Sequence, residues 1–247
     1  MFSAFFHTVF YLPLYNGLVF LIDYAPFHDV GIALIILTFI VKFLLYPLSK
    51  KASLSQYKIR LLEPEIGKIR EKYGSDKAEQ ARKTMELYKN QGINPFTSIL
   101  TLFIQIPILI ALYFIFLKGG LPAINADFLY PFVKFPTAVN TIFLGLVDLS
   151  QKNILIAVLA GFSQFVQAKI ALPPLPHSPN ADGTPSFKSD LAKSMNLQFR
   201  YVMPIIVAVI SYTLPSAIAL YWLAGNIFAI GQEFMVKRAI KIHSKNA

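Results

Sequence analysis

The sequence predicts an all-α integral membrane protein with a five-transmembrane-helix core, a cytoplasmic helical hairpin and an N-terminal interfacial helix. Three observations lead there. Of the 247 residues, 55% are hydrophobic and only 15% are charged. A soluble domain carries about 25% charged residues, so this chain has too few to cover a surface in water. The apolar residues are also gathered into stretches near the roughly 20 that a helix needs to cross ~30 Å of hydrocarbon. Finally, 23 Lys and Arg against 13 Asp and Glu give a net charge of +10, and the basic residues crowd into alternate loops. High apolar content excludes disorder. With no cysteine in the chain, disulfides, thiolate metal sites, cysteine nucleophiles and a lipid-modified cysteine are excluded too.

Taken in order, residues 1–29 form an extracytoplasmic segment. Pro13, Asn16 and Gly17 interrupt it, and Phe2, Phe5, Phe6, Phe10, Tyr11 and Tyr15 dominate it. Aromatic rings settle at the membrane interface, so an interfacial helix is expected here rather than a sixth span. The segment has neither the basic n-region nor the cleavage site of a secretory signal. The first span, 30–49, holds one charge, Lys42, and the second, 99–117, holds none. The third, 153–171, carries Ser163, Gln164 and Gln167, with Lys169 near its end. Residues 201–236 are too long for one crossing. Leu214-Pro215-Ser216 lies near their middle, and proline punctuates helices. This predicts a fourth and a fifth span joined as a hairpin.

The loops differ in kind. In 50–98, Leu62, Ile66, Ile69 and Tyr73 recur at helical spacing, as do Ala78, Ala81, Met85 and Tyr88. Ser75 or Asp76 is placed to cap the second run, so a cytoplasmic helical hairpin is expected. It serves either as a solvated topology signal or as a docking surface. Residues 118–152 form an extracytoplasmic loop. Residues 172–200 hold Pro173, Pro174, Pro176, Pro179 and Pro185, a composition that reads as a cytoplasmic linker. The tail, 237–247, is basic. Residues 50–98 hold eleven Lys and Arg, 169–200 four and the tail four, against three in 118–152 and none in 1–29. The positive-inside rule then sets the N-terminus outside and the C-terminus in the cytoplasm.

Lys42 is the one basic residue that topology does not need. It lies about 18 Å along the first span, where a charge costs about 2.5–3.5 kcal/mol and tends to face a bundle interior or water. Its stem could instead snorkel to the headgroups. Thr38 stands one turn back on the same face. Gln105 precedes Pro107, Ser163 and Gln167 are four apart, and so are Trp222 and Asn226. Singly, such residues are helix-to-helix hydrogen-bond glue; together with Lys42 they outline a shared polar cavity. No span offers Lys42 an acidic partner, so an anionic visitor or water is expected beside it. The four histidines are scattered, there is no His-Glu-x-x-His and no phosphate-cradling loop, and no acidic pair lies in the membrane. Neither an enzyme, a cofactor nor a metal is expected. The basic tail suits anionic lipid, the default, or ribosomal RNA, and not sequence-specific nucleic acid. A small-solute or anion transporter or channel using Lys42 is the alternative reading. The lack of an internal repeat counts against duplicated-half transporters.

Gly31-Ile32-Ala33-Leu34-Ile35-Ile36-Leu37-Thr38 with Tyr46-Pro47-Leu48, Gln56, Leu62-Glu63-Pro64-Glu65 and Ile93-Asn94-Pro95-Phe96 form an ordered set of motifs. It continues through Gln105-Ile106-Pro107-Ile108, Ala111-Leu112-Tyr113, Asp148-Leu149-Ser150, Met203-Pro204, Leu214-Pro215-Ser216, Leu220-Tyr221-Trp222, Asn226 and Gln232. In this set, over nearly the whole chain, the sequence resembles the YidC/Oxa/Alb family of membrane protein insertases, in the bacterial form without the large extracytoplasmic domain. The resemblance implies a hydrophilic groove open to cytoplasm and lipid, a bacterial plasma-membrane location, and nascent membrane proteins as substrates. It implies the ribosome, the Sec translocon and lipids as further partners. An arginine typically supplies the groove's charge; Lys42 keeps the charge but loses the bidentate fork. The groove residues so implied are Lys42, Thr38, Gln105, Ser163, Gln167, Trp222 and Asn226.

Overall fold

Ten helices and one small hairpin are found among the described residues of the computed structural model, which are 2–74, 76–94, 96–117, 121, 123–171 and 197–245. Most of the Pro-rich 172–200 stretch lies outside them, as do Ser75, Pro95 and Lys118. The helices are α1 (Phe2–Phe6), α2 (Leu12–Tyr24), α3 (Val30–Leu44), α4 (Tyr46–Leu61), α5 (Glu63–Lys72), α6 (Lys77–Asn90), α7 (Phe96–Leu117), α8 (Ile154–Ala171), α9 (Met203–Thr213) and α10 (Ser216–Lys245). Wide π-type turns join α1 to α2 at His7–Tyr11 and precede α9 at Gln198–Val202. Two antiparallel strands, β1 (Ile142–Phe143) and β2 (Val147–Asp148), close the hairpin. The protein is thus a mainly helical one, with apolar helices suited to a membrane. Among the described residues, Ala4–Tyr24 and Ile154–Ala171 are each long and apolar enough to cross, and α3 with α4 makes a third candidate if counted as one broken span.

Contacts divide the chain into two compact units. The first comprises Met1–Leu44 and Gln105–Gly231. In it α2 packs on α3 and α8 on α9, around buried Leu18, Val19, Ile22, Leu34, Leu112, Ile115 and Ile218. Small residues set the α8–α9 distance. A β-carbon on Gly161 would stand 2.7 Å from the Ala208 β-carbon and 2.9 Å from the Pro204 carbonyl, so only glycine lets these backbones approach, as is common between membrane helices. Helix α3 stops at Leu44 because Pro47 has no N–H to continue the ladder and its ring crowds the preceding turn. Within the stretch 30–49 the helix is thus broken after Leu44, and Lys42 falls in the last turn of α3. Leu214 turns extended (φ −103°, ψ 165°) ahead of Pro215, which ends α9 before α10 begins.

The second unit comprises Leu45–Ile104 and Gln232–Ala247. Its small core joins Leu62, Ile66 and Ile93 to Ile59, Leu87 and Tyr88. Asp76 caps α6 by accepting from the Glu79 N–H at 2.9 Å. The Gln80 side chain is buried and donates to the Arg70, Tyr73 and Gly74 carbonyls at 3.2, 3.1 and 3.3 Å. That duty rotates α6 away from the face its apolar spacing suggests. Ala78, Ala81 and Met85 are exposed, while Gln80 is buried and Leu87 and Tyr88 half-buried. Ser49 and Ser53 on α4 donate to the Gln232 and Glu233 side chains of α10 at 2.8 and 2.6 Å.

Candidate functional site: the polar chain at Lys42

Lys42 is carried by the last turn of α3, where the helix dipole favours a cation. Its Nζ donates to Gln105 Oε1 on α7 at 3.1 Å. The Gln105 Nε2 donates in turn to the hydroxyl of Tyr221, a buried residue on α10. One amide thus holds the ammonium with its oxygen and the phenol with its nitrogen, and three helices meet in a single polar line. A turn further along α10, Gly225 makes room for the cation: a β-carbon there would lie 3.2 Å from Lys42 Cε and 3.6 Å from Nζ. Ion pairs form elsewhere at Arg70–Glu63, Arg82–Glu79 and Lys83–Glu86. None of them includes Lys42.

The other expected groove residues separate into distinct arrangements. Asn226, next to Gly225, donates from Nδ2 to Ser163 Oγ at 3.0 Å, and Ser163 donates to its own helix at the Ala160 carbonyl at 2.8 Å. Both side chains are buried, so this pair ties α8 to α10. Thr38 is buried and its hydroxyl donates to the Leu34 carbonyl at 2.7 Å, turned into its own helix instead of toward Lys42. The cleft beside it, lined by Leu34, Leu37, Val41, Ile108 and Leu112, with the Tyr221 side chain, is largely apolar. Gln167 meets Gln164 at 3.4 Å, and Trp222 is half-buried. Two residues central to the geometry had no role assigned from the sequence, Tyr221 and Gly225. The available signal was the phenol itself, a polar tip in an apolar stretch, with a glycine four residues on.

The chain matches the model of the family described as 60Kd inner membrane protein over residues 22–245. It belongs to that family. A member from Clostridium tetani, named membrane protein insertase YidC, is 34% identical over 222 residues, covering 90% of this chain and 87% of the relative. A second of that name, from Fusobacterium nucleatum, is 33% identical over 208 residues, covering 84% and 86%. A third, from Francisella tularensis subsp. novicida, is 31% identical over 210 residues, which cover 84% of this chain but 32% of that longer protein. The 60Kd inner membrane protein family is membrane-embedded and non-enzymatic. Lys42, Gln105, Tyr221, Ser163 and Asn226 all fall within the matched residues.

Proposed function

We propose that this protein is an insertase of the bacterial plasma membrane, which moves nascent membrane proteins into the bilayer without covalent chemistry. The observation that carries the reading is the Lys42 ammonium. An amide holds it in place among apolar helices, and no carboxylate among the described residues neutralises it. A cation kept there attracts an acidic or polar segment that hydrocarbon would otherwise reject at several kcal/mol per unsatisfied group. The groove would be lined by Lys42, Thr38, Gln105, Ser163, Gln167, Trp222 and Asn226, and the substrate's apolar helix would leave along its lipid side. Burial of that helix in lipid then drives the step.

The five spans of this reading are α3, α7, α8, α9 and α10, with the N-terminus outside and the C-terminus in the cytoplasm, as the basic loops favour. Residues 2–24 lie in the outer interface. What supports this is the middle of α2. Asn16, 2% exposed, donates to the Phe128 carbonyl at 2.8 Å and accepts from the Tyr130 N–H at 2.6 Å. Tyr15 accepts from the Asn125 N–H at 2.8 Å. These bonds tie the middle of α2 to the 118–152 loop, which supports the interfacial placement. The Lys- and Arg-rich helices α4–α6 are the surface for the ribosome or the Sec translocon.

Reconstitution in liposomes with a single-spanning substrate bearing an acidic outer segment tests the charge. A charge-assisted contact of about 1.5–3 kcal/mol corresponds to about a ten- to hundredfold change in rate. Lys42→Ala and Lys42→Glu should lose insertion on that scale, and Lys42→Arg should retain it. If Ala and Glu insert as well as the unaltered protein, the charge has no part in the mechanism. Solute flux through substrate-free liposomes that vanishes in Lys42→Ala would favour a transporter instead.

A further inference from the structure

We infer that Phe27 and the β1–β2 hairpin tip form a lipid anchor, set into the bilayer surface at the end of the protein where α3 and α10 begin. The large apolar side chains there face outward: Phe27 is 87% exposed, Leu146 83% and Leu144 61%. Between Phe135 and Gln151 the only charged side chain is Asp148, and it is engaged with Ser150, whose N–H and hydroxyl donate to it at 2.9 and 2.7 Å.

With α3 and α10 read as spans, as proposed above, position fixes the partner. The base of the hairpin is fastened to the first residues of two helices. The Val30 N–H donates to the Asn140 carbonyl at 2.9 Å, the Ser216 N–H to Gln151 at 2.8 Å and the Ala217 N–H to Leu149 at 3.1 Å. The Phe143 ring covers Gly31, where a β-carbon would not fit. Leu146 stands only three residues from Leu149, a reach of about 10 Å at most. The headgroup layer on each side of the hydrocarbon is about 5–8 Å thick. An uncharged tip tethered within about 10 Å of the helix starts is close enough to that layer for its apolar side chains to enter it. Burying such side chains in acyl chains is favourable in proportion to the apolar area removed from water.

The backbone is shaped to present these residues. Phe27 (φ 59°) and Leu144 (φ 51°) both adopt the left-handed conformation, which is strained for a bulky residue. Leu144 is bonded to the carboxylate of Asp29, two residues after Phe27. Asp29 is 3% exposed; its Oδ1 accepts from the Gly31 and Ile32 N–H groups at 2.7 and 3.1 Å and its Oδ2 from the Leu144 N–H at 2.8 Å. The same group therefore caps α3 and holds the hairpin tip on it. The His28 and Asn140 backbones bond at 3.0 Å, so the Phe27 turn is sewn to the strand side of the loop. Asp29 is a positioning residue for the anchor.

The lack of cysteine makes the test clean. Leu146→Cys and Phe27→Cys would each be labelled with an environment-sensitive nitrobenzoxadiazole probe, in liposomes of phosphatidylethanolamine and phosphatidylglycerol. Lys134→Cys, at an exposed charged position of the same loop, is the aqueous reference. Both tip probes should emit to the blue of the reference, lose most of their fluorescence to lipid carrying a doxyl group high on its acyl chain, and resist aqueous iodide. Iodide quenching equal to that at Lys134→Cys overturns the proposal. So does shielding from both quenchers, which would place the tip against a partner protein or a second copy. Adding Asp29→Ala should reduce lipid quenching at Leu146→Cys but leave Lys134→Cys unchanged; undiminished quenching would remove Asp29 from the anchor. These readouts measure depth alone, so they stand or fall separately from insertion.

Discussion

At the scale of single residues, two helical glycines illustrate how a neighbour decides what a methyl group does. At Gly161 the atoms in the way are the Ala208 β-carbon and the Pro204 carbonyl, part of a helix that cannot step aside. Gly161→Ala should therefore destabilise the protein by about 1–3 kcal/mol through overpacking. At Gly225 the atoms in the way are the far end of the Lys42 chain, which can rotate, and alanine favours the helix by about 1 kcal/mol. Gly225→Ala should leave stability within about 0.5 kcal/mol. Thermal unfolding of both variants in the same detergent checks the contrast, and equal losses would refute it. Neither difference is visible in the sequence, where both are glycines in apolar runs. Lys42 was legible as a site because an isolated charge among apolar residues is a local, countable anomaly. Its Gln105 and Tyr221 partners lie 63 and 116 residues apart from the groups they bond, and no local pattern records such a pairing.

At the scale of elements, helix ends were more legible than helix faces. Proline acts on its own backbone, so the stops before Pro47 and Pro215 can be read from the chain. Asp76 likewise caps the helix it precedes. The buried face of α6 could not be read that way, because a polar residue won it. Gln80 supplies N–H groups to three carbonyls where α5 ends and the turn to α6 runs. Leaving those acceptors without a donor costs about 1–3 kcal/mol. Gln80→Ala should loosen the α5–α6 turn by that amount, seen as faster amide hydrogen exchange over residues 70–80, with exchange in α8 unchanged. Gln80→Leu, more apolar and so favoured by a simple reading of the pattern, should loosen it as much.

At the scale of the whole molecule, the uneven basic loops make an orientation that can be measured. In intact cells a membrane-impermeant maleimide should label Lys134→Cys, and should label Arg82→Cys only after permeabilisation. The reverse pattern would invert the proposed topology. The sequence by itself determined that the chain is a helical membrane protein, where its apolar stretches lie, where proline breaks them, and which family it resembles. These follow from composition, periodicity and backbone chemistry, all of which act over a few residues. Only the tertiary structure decided that Lys42 is held by Gln105, itself bonded to Tyr221, that Ser163 and Asn226 form a separate tie, and that Thr38 turns its hydroxyl inward. It also decided that Asp29 joins the start of α3 to a hairpin more than a hundred residues away. Such contacts depend on which helix faces meet, and that is settled by packing in three dimensions rather than by spacing along the chain.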